Sequence, residues 1–270
     1  MSATTPSTAP RPHTMDISGD APVPFGRLVS VETRKSFDTR AGRALTFSII
    51  GLVVAVIAIG AVAFPEDNQD YVAMLGVAGG VLGYFLPILM IMLVTSEWSQ
   101  RTGLATFTLE PRRPRVMGAK ITAGLGLAVA ALVLGALVAA AGTALSPVNG
   151  GEAVWNLGYD QVQSFLLTSL IGVLIGFALA MLLRNTPAAI VAYFVYTFIL
   201  PTVAAALEAL IDGFDKVAPW IEFNTAQVPL FTGDYRPDGE EWAQMAVSGF
   251  IWLVIPFALG LWRLVKAEVK

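Results

Sequence analysis

The sequence predicts an all-α integral membrane fold. It has six transmembrane helices, an amphipathic helix ahead of the first, and a short helix between the second and third. Three observations carry this. Of 270 residues, 55% are hydrophobic and only 14% charged, whereas soluble domains carry about 25% charged residues; mean hydropathy is +0.67. The charges are almost absent from six long apolar stretches and crowd between them, as membrane spans require. The signs are also segregated. Segments 1–43, 96–120, 184–187 and 263–270 hold 15 of the 17 basic residues, and the connections at 65–70, 146–161 and 208–244 hold 13 of the 20 acidic ones.

Taken in order, residues 1–24 are rich in Ser, Thr, Pro and Ala without apolar periodicity and read as a disordered cytoplasmic tail. They lack the apolar core of a signal peptide, so the first span is expected to be a retained anchor. In residues 25–43, Phe25, Leu28 and Val29 alternate with Arg27, Glu32, Arg34, Lys35, Asp38 and Arg40. The i, i+3, i+4 spacing gives a modest apolar face. A helix at the cytoplasmic interface with snorkelling basic side chains is the expectation; a solvated basic flank that only sets topology is the alternative.

The spans are expected at about 44–64, 71–95, 121–145, 162–183, 188–207 and 245–262. Each is near the roughly 20 residues that a ~30 Å hydrocarbon core demands of a helix. Backbone groups in lipid need internal partners, so these stretches are helical. The positive-inside rule puts the basic segments, and therefore both termini, in the cytoplasm. Tyr71, Trp155, Tyr159 and Trp242 then fall at outer ends and Trp98 and Trp262 at inner ends, where amphipathic rings favour the headgroup level.

The connection 96–120 is far longer than the 2–8 residues that join neighbouring helices. It holds a threonine-rich apolar run at 102–109, then Pro111 and Pro114, which are expected to stop any helix, then Arg112, Arg113, Arg115 and Lys120. A short helix presenting Leu104, Phe107 and Leu109 to a soluble partner accounts for that layout; topology accounts for the arginines alone. In the 208–244 connection, Trp220, Ile221, Phe223, Val228, Leu230 and Phe231 are too apolar for a solvated loop. They suggest a half-inserted hairpin, tolerated where protein buries it, that serves either as an external gate or as packing.

The absent chemistry is equally informative. The six expected spans contain no Asp, Glu, Lys, Arg or His, with Glu208 at the outer edge of the fifth, which disfavours proton-coupled carriers and voltage sensors. The one histidine, His13, sits in the tail, so a membrane Ser–His protease and a paired-histidine zinc site are excluded, and no aspartate-rich Mg²⁺ motif or P-loop is present. There is no cysteine for disulfides or thiolate metal sites. Within the spans, Gly76/Gly80, Gly79/Gly83 and Gly172/Gly176 form GxxxG pairs, which read first as helix packing. Pro87, Pro201 and Pro256 interrupt spans two, five and six, each freeing a backbone carbonyl and loosening its helix.

These residues together resemble the membrane permeases of type-2 ATP-binding-cassette (ABC) exporters, in the short six-span bacterial form. The resemblance covers about 25–270. It is carried by Glu32, Lys35 and Asp38 ahead of span one, and by Glu97, Arg101, Thr102, Thr106, Leu109, Pro111, Arg113, Arg115 and Lys120 in the 96–120 loop. The sixth span adds Trp252, Leu253 and Pro256, followed by Glu268 and Lys270. The resemblance implies a coupling helix in that loop, docked on a separate cytoplasmic ABC ATPase that binds ATP and Mg, so the chain itself needs no cofactor and is not an enzyme. It also implies a second permease copy, in a homodimer, within the bacterial cell membrane and its lipid, with no nucleic-acid partner. The transported compound, an amphipathic or hydrophobic drug, antibiotic, peptide or lipid, would pass between subunits along spans one, two and five, where Tyr84, Phe85, Tyr193, Phe194 and Tyr196 offer aromatic surface. Nothing in the chain resembles a substrate-recognition motif. A non-transport membrane anchor or regulatory subunit that recruits a cytoplasmic partner is the alternative.

Overall fold

In a computed structural model, the described residues are 23–63, 69–100, 106, 110, 112–149, 152–232 and 236–266. Among them there is no β-strand, and six helices are long and apolar enough to cross a membrane. After α1 (Phe25–Asp38) come α2 (Arg40–Ala63), α3 (Tyr71–Ser99), α4 (Arg113–Leu145) and α5 (Tyr159–Leu183). Then follow α6 (Thr186–Leu210), the short helices α7 (Ala218–Ile221) and α8 (Phe223–Ala226), and α9 (Gly239–Lys266). The chain is a multi-pass α-helical membrane protein.

The helices run further than hydropathy predicts, and in α3 and α4 this changes where the charges lie. Helix α3 continues to Ser99, so Glu97 is in its last turn. Helix α4 begins at Arg113 rather than 121, with Pro114 in its first turn. A proline there loses an N–H that would have had no helical partner anyway, so the residue expected to stop a helix opens one. The charge-free windows are real, but the helices that contain them carry Glu97 and Lys120 near one end of the bundle.

Helix α1 is separated from α2 by one extended residue, Thr39, whose hydroxyl accepts the Gly42 N–H at 2.9 Å. A Cβ at Gly42 would collide with the Ser36 carbonyl, so glycine lets α2 start directly against the end of α1. From there α1 packs mainly on α4, burying Glu32 and Ser36.

Helix α3 lies at the centre, against α5 and α4. Its crossing with α5 is a backbone contact: a Cβ on Gly176 would sit 2.6 Å from the Pro87 carbonyl oxygen, and one on Gly172 3.4 Å from the Pro87 ring. The Gly172/Gly176 pair therefore packs, as GxxxG pairs do. Gly76, Gly80 and Gly83 do not, because a Cβ on any of them meets nothing within 4 Å.

The carbonyls freed by proline are taken up by tertiary contacts. Pro87 cannot donate to the carbonyl four residues back, and that Gly83 oxygen accepts from Tyr193 Oη at 3.0 Å. In α6 a π-helical turn at Val195–Ile199 precedes Pro201, with Leu200 N–H bonded to the Val195 carbonyl. The next carbonyl in that register, of Tyr196, would need the N–H that Pro201 lacks; it accepts instead from Asn224 Nδ2 at 3.1 Å. A second π turn, Phe250–Val254, precedes Pro256 in α9.

The 208–244 connection folds back onto the bundle. Phe223, Ala226 and Leu230 are buried, and Trp252 Nε1 donates to the Ile221 carbonyl at 2.7 Å. The buried carboxylate of Glu222 starts α8 by accepting the Asn224 and Thr225 N–H groups. Ser164 Oγ ties α5 to the Leu230 carbonyl.

Candidate functional site

Four ionisable side chains from three helices meet at one end of the bundle. Lys120, on α4, has no solvent exposure. Its ammonium donates to Glu32 Oε2 at 2.5 Å and to the Leu93 carbonyl at 3.1 Å, and lies 3.2 Å from Glu97 Oε1. Lys35 bridges the same carboxylates, 2.8 Å from Glu32 and 2.9 Å from Glu97. Thr106 Oγ1, from the connection between α3 and α4, donates to Glu97 Oε2 at 2.7 Å. Two lysines and two glutamates make the cluster neutral overall, and every donor of Lys120 is used. Such an arrangement offsets the desolvation that buried ions otherwise suffer. Burial alone would lower the Lys35 pKa, but hydrogen bonds and charge from Glu32 and Glu97 outweigh it and hold the ammonium above its ordinary value. Asp38 is exposed at the end of α1 and stands outside the cluster.

Arginines fasten the surrounding segments. Arg115 pairs with Glu110 at 2.8 Å and donates to the Val23 carbonyl at 2.6 Å, tying the start of α1 to α4. Arg113 donates to the Leu264 carbonyl of α9 at 2.6 Å. Arg184 adopts a left-handed conformation (φ 50°) in the turn between α5 and α6 and stacks over Trp98. Its pKa is pulled down by burial, then by the charges of Arg263 and Arg113.

The opposite half of the bundle contains a cavity of about 530 Å³, walled by α3, α5, α6 and the segment from Asn224 in α8 to Phe231. Tyr84, Tyr193 and Tyr196 line it. Phe85 packs into the core on another face of α3, and Phe194 is turned outward against Phe198. No residue of α2 reaches the cavity, so span one takes no part in it.

The structure thus brings together Glu32, Lys35, Glu97, Thr106 and Lys120, which are far apart in sequence. Arg101, Thr102, Leu104, Phe107, Leu109 and Pro111 lie outside the described residues, as do the tail 1–22 and Glu268 and Lys270. Sequence reasoning missed the polar lining of the cavity: Gln161, Ser164, Thr168 and Ser169 on α5, and Asn224 and Gln227 in and just after α8. The α5 residues recur at helical spacing beside Gly172, a signal that could have been read. Among the described residues no group of His, Cys, Asp and Glu could hold a metal ion. No protein-family model matches the chain, and no curated protein matches it.

Proposed function

We propose that this chain is the membrane-spanning permease subunit of an ATP-driven ABC exporter. It would move an amphipathic or hydrophobic compound outward, with ATP and Mg bound by a separate cytoplasmic ATPase. The observation that carries this reading is the buried Lys120–Glu32–Glu97–Lys35 cluster with Thr106 attached. It joins α1, the end of α3, the start of α4 and the connection between them into one unit. A force applied to the 100–112 connection is then delivered to two spans and the interface helix together. That is what a coupling element needs, because buried ion pairs resist separation more than exposed ones do. The basic character of this end and the motif resemblance over 97–120 support the same reading, and a sequence without a P-loop motif is compatible with a separate ATPase.

The test is reconstitution in liposomes with its ABC ATPase. Replacing Phe107 and Leu109 by Asp is expected to abolish substrate-stimulated hydrolysis while membrane insertion survives. Wild-type stimulation in that variant would overturn the docking assignment. A membrane anchor or regulatory subunit would instead show neither transport nor stimulated hydrolysis in the unaltered complex.

A further inference from the structure

The cavity is lined by no side chain that is charged at neutral pH. None of its lining residues is Asp, Glu, Lys, Arg or His. Its α3 wall is nearly flat, because Gly76, Gly80 and Gly83 face space in which a Cβ would touch nothing. These three glycines serve no helix contact, whereas Gly79 among them lets the Phe165 ring of α5 approach. The facing wall on α5 is polar: Ser169 is only 4% exposed, lines the cavity, and its hydroxyl has no partner among the described residues. A serine inside a membrane helix ordinarily bonds its own backbone one turn back, as Ser248 and Thr168 do. Beside the cavity, Tyr84 and Phe198 stack at 5.3 Å, and both are exposed on the side of the bundle.

We propose that the cavity binds an uncharged amphipathic small molecule that enters from the bilayer past Tyr84 and Phe198. Its flat apolar face lies on the glycine wall of α3, and a hydroxyl, carbonyl or amide group reaches Ser169. The volume is that of sites for drug-sized ligands, which pair apolar walls with a few placed polar groups. No lining residue offers a counter-ion to an ammonium or carboxylate, and the buried Glu222 carboxylate behind Asn224 has its oxygens engaged by Asn224 and Thr225, so the desolvation of either ion is not offset by binding. As a binding site the cavity stands apart from the permease reading; as the chamber of the transported compound it rests on that reading. Binding is measured without any ATPase, so the two can fail separately.

The experiment uses the full chain in liposomes and three photoreactive probes of one skeleton: the benzyl alcohol, benzoic acid and benzylamine bearing a trifluoromethyl-diazirine. Labelled residues are mapped by mass spectrometry and normalised to labelling at Leu137, exposed on α4. The uncharged alcohol is expected to label cavity residues of α3, α5 and α6 saturably, and the two ions at least tenfold less. Gly80→Leu, which fills the cavity, should cut labelling at least fivefold; Gly126→Leu, whose Cβ also meets nothing but which lies outside the cavity, should leave it unchanged. Ser169→Ala keeps the space and should weaken the alcohol about threefold. Linear, non-saturating labelling, equal labelling by alcohol and ions, or indifference to both cavity variants would each overturn the proposal. The comparison of the three probes needs no variant to fold.

Discussion

Replacing Lys120 with methionine removes one charge from the buried cluster while keeping most of the side-chain volume. Glu32 and Glu97 are left buried, at 3% and 1% exposure, with Lys35 as their shared cation. Removing one partner of a buried ion pair costs about 3–5 kcal/mol. Lys35 remains within 2.9 Å of both carboxylates and offsets part of that, so the expected loss is about 3 kcal/mol. Adding Glu97→Gln removes the stranded charge, and the double variant should cost no more than Lys120→Met alone. The two sites are therefore expected to couple by about 2 kcal/mol, within the range seen for contacting residues. The assay is reversible unfolding of the full chain in mixed micelles titrated with a denaturing detergent, for the parent, both single variants and the double. Simple additivity of the two single costs, or a Lys120→Met cost below about 1 kcal/mol, the upper range for exposed pairs, would refute the claim that this cluster binds the helices together.

Two further outcomes follow from particular contacts. Because the folded state holds the Lys35 proton more tightly than the unfolded chain, its contribution is complete below the ordinary lysine value of 10.5 and disappears as pH rises through the higher folded value. The stability–pH curve of the parent should thus fall more steeply above about pH 10.5 than that of Lys35→Met; parallel curves would contradict the bridging geometry. Tyr193→Phe leaves the Gly83 carbonyl without the donor that replaces Pro87, at a cost of about 1–3 kcal/mol. In a Pro87→Ala background the helix supplies its own N–H, and the same change should cost well under 1 kcal/mol; an equal cost in both backgrounds would show that the hydroxyl does not substitute for the proline.

How much of this was legible beforehand differs by residue. The apolar runs behind α2 to α6 and α9 were plain, because a helix in lipid needs a fixed length of uncharged sequence. The ends of those helices were not. Glu97 and Lys120 look like loop charges in a hydropathy plot, since hydropathy records the cost of an isolated ion and not the relief given by a partner 3.2 Å away. Pro114 was misread for a similar reason: whether a proline stops or opens a helix depends on which carbonyls are already satisfied.

Composition and charge pattern alone determined that six stretches are long and apolar enough to cross a membrane, which connections are basic, and that the expected spans carry no Asp, Glu, Lys, Arg or His. Tertiary structure alone decided what the remaining polar groups do. It matched Lys120 to Glu32 across 88 residues, aimed Tyr193 at the carbonyl freed by Pro87, and set the α3 glycines against a cavity while Gly172 and Gly176 closed on α5. The division has a physical cause. Transfer of apolar surface is additive along the chain and can be read locally, whereas hydrogen bonds and ion pairs acquire their value only from a partner that folding brings near.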